Sequence, residues 1–517
     1  MIQIKTVNIK QFIFLLILFF YLNSCKTGLE IDNNNNLLSI SFDRKRELHE
    51  LSENPPSLCQ GISKKGIDLT GHYIEFLPEV IDGELFSSYH DFTVSVWLKS
   101  DNYDEDTCVI LSSSDFEKMN AGIYGERRLS KGITLYSFNG RWGWNIGNGR
   151  VHYLYEPVYK DQPLSDGGWH NLSFTHDAEK KEIRLYYDGI NKCILHIGDM
   201  DESDFQANLP LHLGEQKDAI SGCESFKGIV DELNIWSAAL ASEDIKQLVK
   251  GKLDVKDEPE LLTDTFTILD WNIWHGGTHF TLEEDGFDGI KRIIELIRES
   301  EADIVLMQET YGAGSEISSS LGFYYYEASS TIGAVWGANL SVMSRYPFED
   351  AYMVEKKSNY GNNYAFNNGG AKIKLTDKKK IIAFSNWYNG GKPEDLEGVL
   401  NAWSTLISNS DHIPLIFGGD YNSESHLDDG IGESGHSKLM SEAGFVDALR
   451  KIYPDPEEYP GFSSPRGTGR IDYIYFKGQN LHLIDYKPII LDFKGRDGKT
   501  PGYPSDHLGI ISTFKFN

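Results

Sequence analysis

The sequence predicts two folded domains in series, an all-β two-sheet jelly-roll sandwich followed by a domain of mixed α and β structure. Between residues 66 and 253, short runs of alternating apolar and polar residues are separated by Gly, Asp and Asn turns, which is typical of a two-sheet sandwich. From residue 266 to residue 517, amphipathic helices alternate with strands. Residues 254–265 carry a charge run and a proline without apolar periodicity, which indicates a linker.

The N-terminal segment predicts export and lipid attachment. The run "FIFLLILFFYL" follows Lys5 and Lys10 and is short for a membrane-spanning helix. It leads into "LNSC", which resembles the lipobox of bacterial lipoproteins, where Cys25 would carry the lipid. We therefore expect a signal peptide at 1–24, a polar tether at 25–65, and attachment to a membrane of the cell envelope, with the outer membrane favoured. The alternative is a plain signal peptide or an N-terminal anchor.

The chain is strongly acidic throughout. Its 517 residues carry a net charge of −28 at pH 7. From Leu262 to the end, 23 Lys and Arg residues stand against 36 Asp and Glu residues, which gives −13 and leaves −15 for the rest. Binding to nucleic acid usually rests on Lys and Arg, so the charge disfavours nucleic acid as a partner without excluding it.

The cysteines beyond Cys25 show no metal-binding spacing. They are Cys59, Cys108, Cys193 and Cys223. Outside the cytoplasm they could form up to two disulfides, and buried free thiols are the equally weighted alternative.

Several residues of the first domain go beyond a generic sandwich. "DFTVSVWLK", "SDGGWHNLSFTHDAEKKEIRLYYDG" and "FKGIVDELNIWSAALASEDIKQL" resemble the concanavalin A-like, laminin-G type lectin fold. The resemblance implies that a glycan is a possible ligand of this domain. Trp142, Trp144, Tyr153 and Tyr155 could stack on sugars, although a core position is favoured. Asp188 and Asp231 could bind calcium, although turn-forming and capping roles are favoured.

The second domain has polar residues at the ends of its predicted strands. These residues are Asn272, Glu309, Asp420, Asn422, Asp472, Asp506 and His507. Neighbouring strand ends would gather these groups at one edge, where carboxylates repel one another unless a cation is present. The oxygen-rich set points to Mg²⁺ or Mn²⁺, which would polarise a phosphoryl group. His507 could donate to a phosphate oxygen, with Asp472 keeping the imidazole charged.

The motifs "LDWNIW", "LMQET", "GGDYNSES", "RIDYIY" and "PSDHLGI" together resemble the endonuclease/exonuclease/phosphatase superfamily. The resemblance implies a four-layer α/β/β/α sandwich and hydrolysis of a phosphoester by in-line attack of water. It also implies that Asn272, Glu309 and Asp506 bind the metal. Asp420 would position or deprotonate the water, and Asn422 would hold the phosphate. Asp472 would orient His507, which would stabilise the transition state.

One departure from the family pattern concerns "SNWYNGG". Many members have Asn-Thr-His there, whereas this chain has Trp387 and Tyr388 at the last two positions. Tyr388 could contact phosphate through its hydroxyl, or it could simply pack. His275 and His279 follow the first strand of the domain and could contact the substrate or a second metal, although surface loop positions are favoured.

The substrate is less determined than the chemistry. A lipid-tethered enzyme with a lectin-like domain suits a glycan-linked phosphate or a phospholipid head group outside the cytoplasm. One alternative is a tethered deoxyribonuclease-like endonuclease. An alternative of another class is a carbohydrate-binding lipoprotein whose hydrolase domain is inactive.

Overall fold

The computed structural model describes residues 35–43, 56–76, 81, 83–103, 107–114, 131–148, 152–197, 205–206, 209–214, 224–255, 258–277, 288–328, 340–357, 364–388, 390, 392–428, 435–464, 469–489 and 504–517. The predicted signal peptide, Cys25, Cys223 and His279 lie outside these residues.

The first domain is a β-sandwich closed by one short helix in the described part of the chain. In chain order its strands are β1 (Asn36–Ile40), β2 (Ser57–Gln60), β3 (Lys65–Asp68), β4 (Ile74–Glu75), β5 (Phe92–Lys99), β6 (Cys108–Ser112), β7 (Lys131–Phe138), β8 (Arg141–Asn148), β9 (His152–Tyr155), β10 (Trp169–Asp177), β11 (Glu182–Tyr187), β12 (Ile190–His196), β13 (His212–Leu213), β14 (Glu224–Ser225) and β15 (Ile229–Trp236). Helix α1 (Ser242–Val249) follows them.

Two sheets face each other in this domain, as the alternating pattern predicts. One has the order β2-β3-β15-β5-β10-β11-β12, with β1 also paired to β15, and the other has the order β4-β13-β6-β7-β8-β9, with β14 on β6. Four aromatic residues of this domain could stack on sugars according to the sequence, although a core position is favoured. All four are buried between the sheets, which confirms the core position: Trp142, Trp144, Tyr153 and Tyr155.

The start of the sandwich is a correction to the predicted tether. β1 pairs with β15 and β2 pairs with β3, so residues 36–40 and 57–60 belong to the sandwich and not to the tether assigned to 25–65. The physical reason is visible in β1, where Leu38 and Ile40 alternate with exposed residues and bury their side chains in the core. The apolar pattern of β1 is short and lies beside an Asn-rich run, so it does not predict a strand from the sequence alone.

The two aspartates weighed as calcium ligands have hydrogen-bonding roles in the backbone. Asp188 adopts a left-handed φ of 52° and accepts the N–H of Asn171 at 2.9 Å. Asp231 is buried and accepts the N–H of Ile62 at 2.9 Å. Both positions agree with the favoured turn and capping roles.

Three of the cysteines lie in the described part of the chain, and all three are free thiols there. Cys108 and Cys193 are buried, and Cys59 is half-buried.

The second domain alternates helices with longer strands. Its strands are β16 (Thr265–Asn272), β17 (Ile304–Gln308), β18 (Tyr324–Ala328), β19 (Leu340–Ser344), β20 (Phe348–Lys357), β21 (Tyr364–Lys374), β22 (Lys380–Trp387), β23 (Leu415–Asp420), β24 (Val446–Asp447), β25 (Asp472–Lys477), β26 (Leu481–Pro488) and β27 (Ile510–Phe516). Its helices are α2 (Gly289–Glu299), α3 (Gly314–Leu321), α4 (Pro393–Ala402), α5 (Ser404–Ser408), α6 (Gly435–Glu442) and α7 (Ala448–Ile452).

These elements form the four-layer α/β/β/α sandwich that the family resemblance implies. One sheet has the order β18-β19-β17-β16-β27-β26 and the other β20-β21-β22-β23-β25-β24, with mostly antiparallel pairing. Apolar side chains of both sheets meet between them, as Ile268 and Ile416 do. The outer face of the first sheet is covered by α2, whose apolar face includes Ile293 and Ile297, as its period predicts. Helices α4 and α6 cover the second sheet.

The two domains share a continuous sheet. Strand β12 of the first domain pairs in parallel with β18 of the second domain, with Cys193 opposite Tyr325 and His196 opposite Ala328. Each of these strands would otherwise be an unpaired edge. The predicted linker is also anchored, since Leu261 is buried and donates its N–H to Leu375 O at 2.7 Å. The domains are therefore fixed to each other by backbone pairing as well as by the chain that connects them.

Polar side chains accompany this pairing, and we call them the junction cluster: Glu182, Arg184, His196, Tyr326 and Asp350. His196 Nδ1 is 2.8 Å from the hydroxyl of Tyr326, across the domain boundary. Arg184 is paired with Glu182 on one side and lies 3.9 Å from Asp350 of the second domain on the other.

Among the described residues, no helix combines the length and the apolar character needed to cross a membrane.

Candidate active site

The predicted site residues lie at one edge of the two stacked sheets. β16 ends at Asn272, Glu309 directly follows β17, and β23 ends at Asp420. Asp472 begins β25 and lies directly opposite Asp420 in the antiparallel register. Because strands running toward this edge end there and strands running away begin there, side chains distant in the sequence share one cleft.

The loop before β27 brings His507 to the same edge. The indole N–H of Trp271 donates to His507 O at 3.0 Å, and the hydroxyl of Ser505 donates to Asn272 O at 2.7 Å. Ser505 also accepts the N–H of His507 at 3.1 Å. The loop is thereby fastened to the end of β16, beside the metal residues predicted from the sequence.

His507 and Asp472 form the pair that the sequence predicts. His507 Nδ1 lies 2.9 Å from Asp472 Oδ2 and 3.1 Å from Oδ1, and the Asp472 carboxylate is buried. Burial by itself would lower the pKa of His507, but the carboxylates of Asp472 and Asp420 outweigh it and hold that pKa well above its usual value. The imidazole is thus kept positively charged, with Nε2 turned toward the cleft carboxylates, 3.9 Å from Asp420.

Asp420 is a buried carboxylate in the same cleft. Burial raises its pKa to about 7, since the opposing effect of His507 is smaller and Asp472 adds repulsion. The loop after β23 fixes its orientation, because Asn422 donates its backbone N–H to Asp420 Oδ1 at 2.8 Å and its side-chain amide to Oδ2 at 3.1 Å. Asn422 takes a left-handed φ of 48° to make these contacts.

Asn272 lies between two carboxylates. Its amide nitrogen donates to Glu309 Oε1 at 3.0 Å and to Asp420 Oδ2 at 3.1 Å. Its amide oxygen accepts the N–H of Trp274 at 2.9 Å. In this orientation the nitrogen faces the carboxylates, so the geometry favours a role in holding Glu309 and Asp420 over the role of metal ligand expected from the sequence.

Together these groups make a strongly acidic cleft, and we call five of its ionisable residues the cleft cluster: Glu309, Asp420, Asp472, Asp506 and His507. Ligand atoms of Asp420, Asp472 and His507 all lie within 4.8 Å of one another. Burial raises the pKa of Asp506, and the nearby Glu309 carboxylate adds to the rise against the opposing effect of His507. Four carboxylates share a single imidazole, so the donor set fits a hard divalent cation that would relieve the repulsion.

Tyr388 is a correction to the predicted phosphate contact. Its side chain is fully buried, and its hydroxyl donates to Asn386 Oδ1 at 3.0 Å. Its ring packs near Tyr421, with 5.1 Å between ring centroids. A hydroxyl held inside the core cannot meet a phosphate in the cleft, so the packing alternative is the one that agrees with the structure. The backbone of Tyr388 still serves the site, since its carbonyl accepts the amide of Asn422 at 3.0 Å.

A buried network beneath the cleft was not predicted. The side chain of Gln308 donates to Asp270 Oδ1 at 2.9 Å and to Ser385 Oγ at 3.0 Å, which ties the two sheets together. Burial, and then the Asp472 carboxylate, raise the pKa of Asp270 well above its usual value. Gly418 permits the close approach of the sheets, because a Cβ there would lie 2.8 Å from Asp270 Oδ1. The one signal in the sequence is an aspartate inside the apolar run "TILDWN".

His275 lies at the cleft and not on the surface. Only 13% of its side chain is exposed, and its Nε2 is 3.7 Å from Glu309 Oε2. The surface position favoured from the sequence is therefore wrong for His275.

Comparison with known proteins identifies the two domains. Residues 72–246 match the family model of the concanavalin A-like lectin/glucanases superfamily, and residues 271–507 match that of the endonuclease/exonuclease/phosphatase family. The chain thus carries a concanavalin A-like domain followed by an endonuclease/exonuclease/phosphatase domain. Members of the latter family are hydrolases of phosphoesters and typically depend on a divalent metal.

Individual proteins resemble this chain only distantly. An uncharacterized protein of Caenorhabditis elegans is 23% identical over 304 aligned residues, covering 48% of this chain and 91% of that protein. The structure of an endonuclease/exonuclease/phosphatase from Beutenbergia cavernae DSM 12333 has 17% identity and a TM-score of 0.37, covering 49% of this chain and 72% of its own. The catalytic domain of human Nocturnin has 18% identity and a TM-score of 0.36, covering 50% of this chain and 97% of its own.

Proposed function

We propose that this protein is a divalent-metal-dependent hydrolase that cleaves a phosphoester by in-line attack of water outside the cytoplasm. The substrate class is a glycan-linked phosphate or a phospholipid head group. The observation that carries the proposal is the contact between His507 and Asp472, which presents a charged imidazole to a cleft rich in carboxylates. A cation and a phosphate together would complete the charge balance of such a cleft.

The chain's own residues have distinct roles in this reaction. Asp420 accepts the proton of the attacking water, and a pKa of about 7 suits a general base near neutral pH. Protonated His507 donates through Nε2 to a phosphate oxygen and stabilises the charge that develops there. Asn422 and Asn272 hold Asp420 in place. Glu309 and Asp506 would hold the metal, which when bound polarises the phosphoryl group and stabilises the leaving oxygen.

The lectin-like domain supports the choice of a carbohydrate-bearing substrate. The shared sheet holds this domain at a fixed position beside the catalytic domain, so a glycan bound to its surface would be held at a fixed distance from the cleft. The lipobox-like "LNSC" supports a lipid anchor on Cys25, which would keep the enzyme at the cell envelope with its substrate. Incorporation of labelled fatty acid that is lost in Cys25→Ser tests the anchor.

The activity is tested with a panel of four phosphoesters in Mg²⁺ or Mn²⁺: a carbohydrate-linked phosphate, sphingomyelin, plasmid DNA and an aryl phosphodiester. We expect hydrolysis that a chelator abolishes, with the highest kcat/KM on the carbohydrate-linked phosphate or on sphingomyelin. Nicking of the plasmid as the fastest reaction would replace the substrate assignment with that of an endonuclease. Absence of hydrolysis across the panel, with glycan binding intact, would overturn the proposal in favour of a binding protein.

A further inference from the structure

The turn after β16 has an unusual backbone. Trp274 and His275 both have a φ of 51°, and Gly276 and Gly277 follow with φ values of 71° and 70°. The left-handed region costs little for glycine, but it strains residues that carry a Cβ. Two strained residues in succession beside a cleft point to a functional reason for the conformation.

Part of that reason is a pair of backbone hydrogen bonds from this turn to Glu309. The N–H of His275 donates to Glu309 Oε2 at 3.1 Å, and the N–H of Gly276 donates to Glu309 O at 2.7 Å. Glycine at position 275 would make the same backbone contact with less strain, so these hydrogen bonds do not by themselves call for an imidazole. The side chain of His275 needs its own explanation.

The ring of His275 faces the same carboxylate as its backbone. Nε2 lies 3.7 Å from Glu309 Oε2, which is beyond the range of a good hydrogen bond. The distance is nevertheless shorter than about 4.2 Å, twice a typical metal–ligand bond length of ~2.1 Å, so one ion can touch both atoms. The ring of Tyr311 packs edge-on against His275 with 5.4 Å between centroids, which holds the imidazole in this direction.

We propose that His275 Nε2 and Glu309 Oε2 bind the same divalent ion, and that this nitrogen ligand makes the site select Mn²⁺ or a similar transition ion over Mg²⁺. The inference rests on the proposed function, since it takes Glu309 as a metal ligand. Imidazole suits transition ions, whereas Mg²⁺ prefers oxygen ligands throughout. The cleft is therefore an oxygen-rich site with one nitrogen donor added from the strained turn.

The test is metal binding by the full-length chain after removal of its metal. Free Mn²⁺ is measured by electron paramagnetic resonance during titration. Binding of Mg²⁺ is measured by its competition with bound Mn²⁺. We expect His275→Ala to weaken Mn²⁺ binding at least tenfold while Mg²⁺ binding changes less than threefold. The exposed His482→Ala is the matched control and should bind both ions as the wild type does. Because Asn tolerates a left-handed backbone, His275→Asn preserves the turn and should show the same loss.

Pulsed electron paramagnetic resonance of the Mn²⁺ complex provides the second measurement. Wild-type protein should show the ¹⁴N coupling of a bound imidazole, and both His275 variants should lose it. Retention of the coupling in both variants, or Mn²⁺ affinity within threefold of wild type, would overturn the inference and leave the proposed function standing. The proposed function fails separately if Glu309→Gln binds Mn²⁺ and Mg²⁺ as tightly as the wild type, because the metal then lies elsewhere.

Discussion

Two largely enclosed histidines of this protein have different charge states. In the junction cluster, burial, followed by the nearby Arg184 cation, lowers the pKa of His196 to about 3. In the cleft cluster, burial also acts against the charged form, but the surrounding carboxylates raise the pKa of His507 well above its usual value. The imidazole is therefore neutral in the junction cluster, which contains the Arg184 cation, and charged in the cleft cluster, which contains an excess of carboxylates.

The comparison separates a structural polar cluster from a functional one. At the junction, the Glu182 carboxylate is paired with the Arg184 cation within the protein. In the cleft cluster, four carboxylates share the charged imidazole of His507, and the ring of His275 also faces Glu309. An imbalance of this kind favours a site that binds a cation, and the predictions below test it from the largest expected effect to the smallest.

The largest effect is expected from His507→Ala. Removing the charged imidazole takes away the donor to the phosphate, so kcat should fall about 10³-fold, the scale of one transition-state donor or acid. The measurement is hydrolysis of the aryl phosphodiester at saturating metal. Circular dichroism checks the fold, because Asp472 loses its partner.

The exposed His482→Ala provides the comparison for His507→Ala and should retain full activity. A kcat within threefold of wild type for His507→Ala would contradict the role given to the imidazole.

The junction cluster should respond in stability and not in chemistry. In Arg184→Met, the buried carboxylate of Glu182 loses its cation, and we expect the free energy of unfolding to fall by roughly 3 kcal/mol. Urea denaturation measures the loss. The double variant Glu182→Gln/Arg184→Met has no buried charge and should recover much of it. A loss below about 1 kcal/mol, similar to that expected of a surface position such as Arg298→Met, would contradict the structural role of this cluster.

Much of the cleft follows from the sequence, whereas the junction does not. A strand end is a local feature, visible where apolar alternation stops at a polar residue, so Glu309, Asp420 and Asp472 could be placed at one edge from the pattern alone. The pairing of β12 with β18 joins residues more than 100 positions apart. Nothing in the local pattern of either strand distinguishes an edge covered by another domain from an edge open to solvent, so the rigid union of the domains could not be predicted.

Within the cleft, the residues that escaped prediction are those whose role depends on burial or backbone angle. Asp270 looks like an ordinary polar residue inside a strand, and only the close approach of the second sheet makes it a buried carboxyl group. His275 follows an apolar strand as many loop residues do, and its left-handed φ turns it toward Glu309. Tyr388 shows the reverse case, since a family pattern suggested a phosphate contact and packing decided against it.

A smaller effect, of opposite sign, is expected beneath the cleft. The pKa of Asp270 is raised in the folded state, so unfolded Asp270 loses its proton first, near its ordinary pKa of about 4. The folded state then binds more protons than the unfolded state, and stability falls as the pH rises above that value. Asp270→Asn removes this titration and should increase the free energy of unfolding at pH 8.

The gain from Asp270→Asn should disappear below pH ~4, where the carboxyl group is protonated in both states. Urea denaturation at the two pH values measures it, with the exposed Asp101→Asn as the control. A gain of equal size at both pH values would show that packing, and not the buried carboxyl group, is responsible.

The smallest effect is expected from Tyr388→Phe. This substitution tests whether Tyr388 lines the cleft or only supports it from the core. The substitution keeps the buried ring and removes the hydrogen bond to Asn386, so stability should fall by about 1 kcal/mol. Because the Tyr388 carbonyl still accepts the amide of Asn422, the loop that orients Asp420 is preserved and kcat should change less than threefold. Steady-state hydrolysis of the aryl phosphodiester and thermal unfolding measure the two quantities. If kcat fell thirtyfold while stability was unchanged, the hydroxyl would have to contact the substrate. Tyr388 would then line the cleft and would not belong to the core.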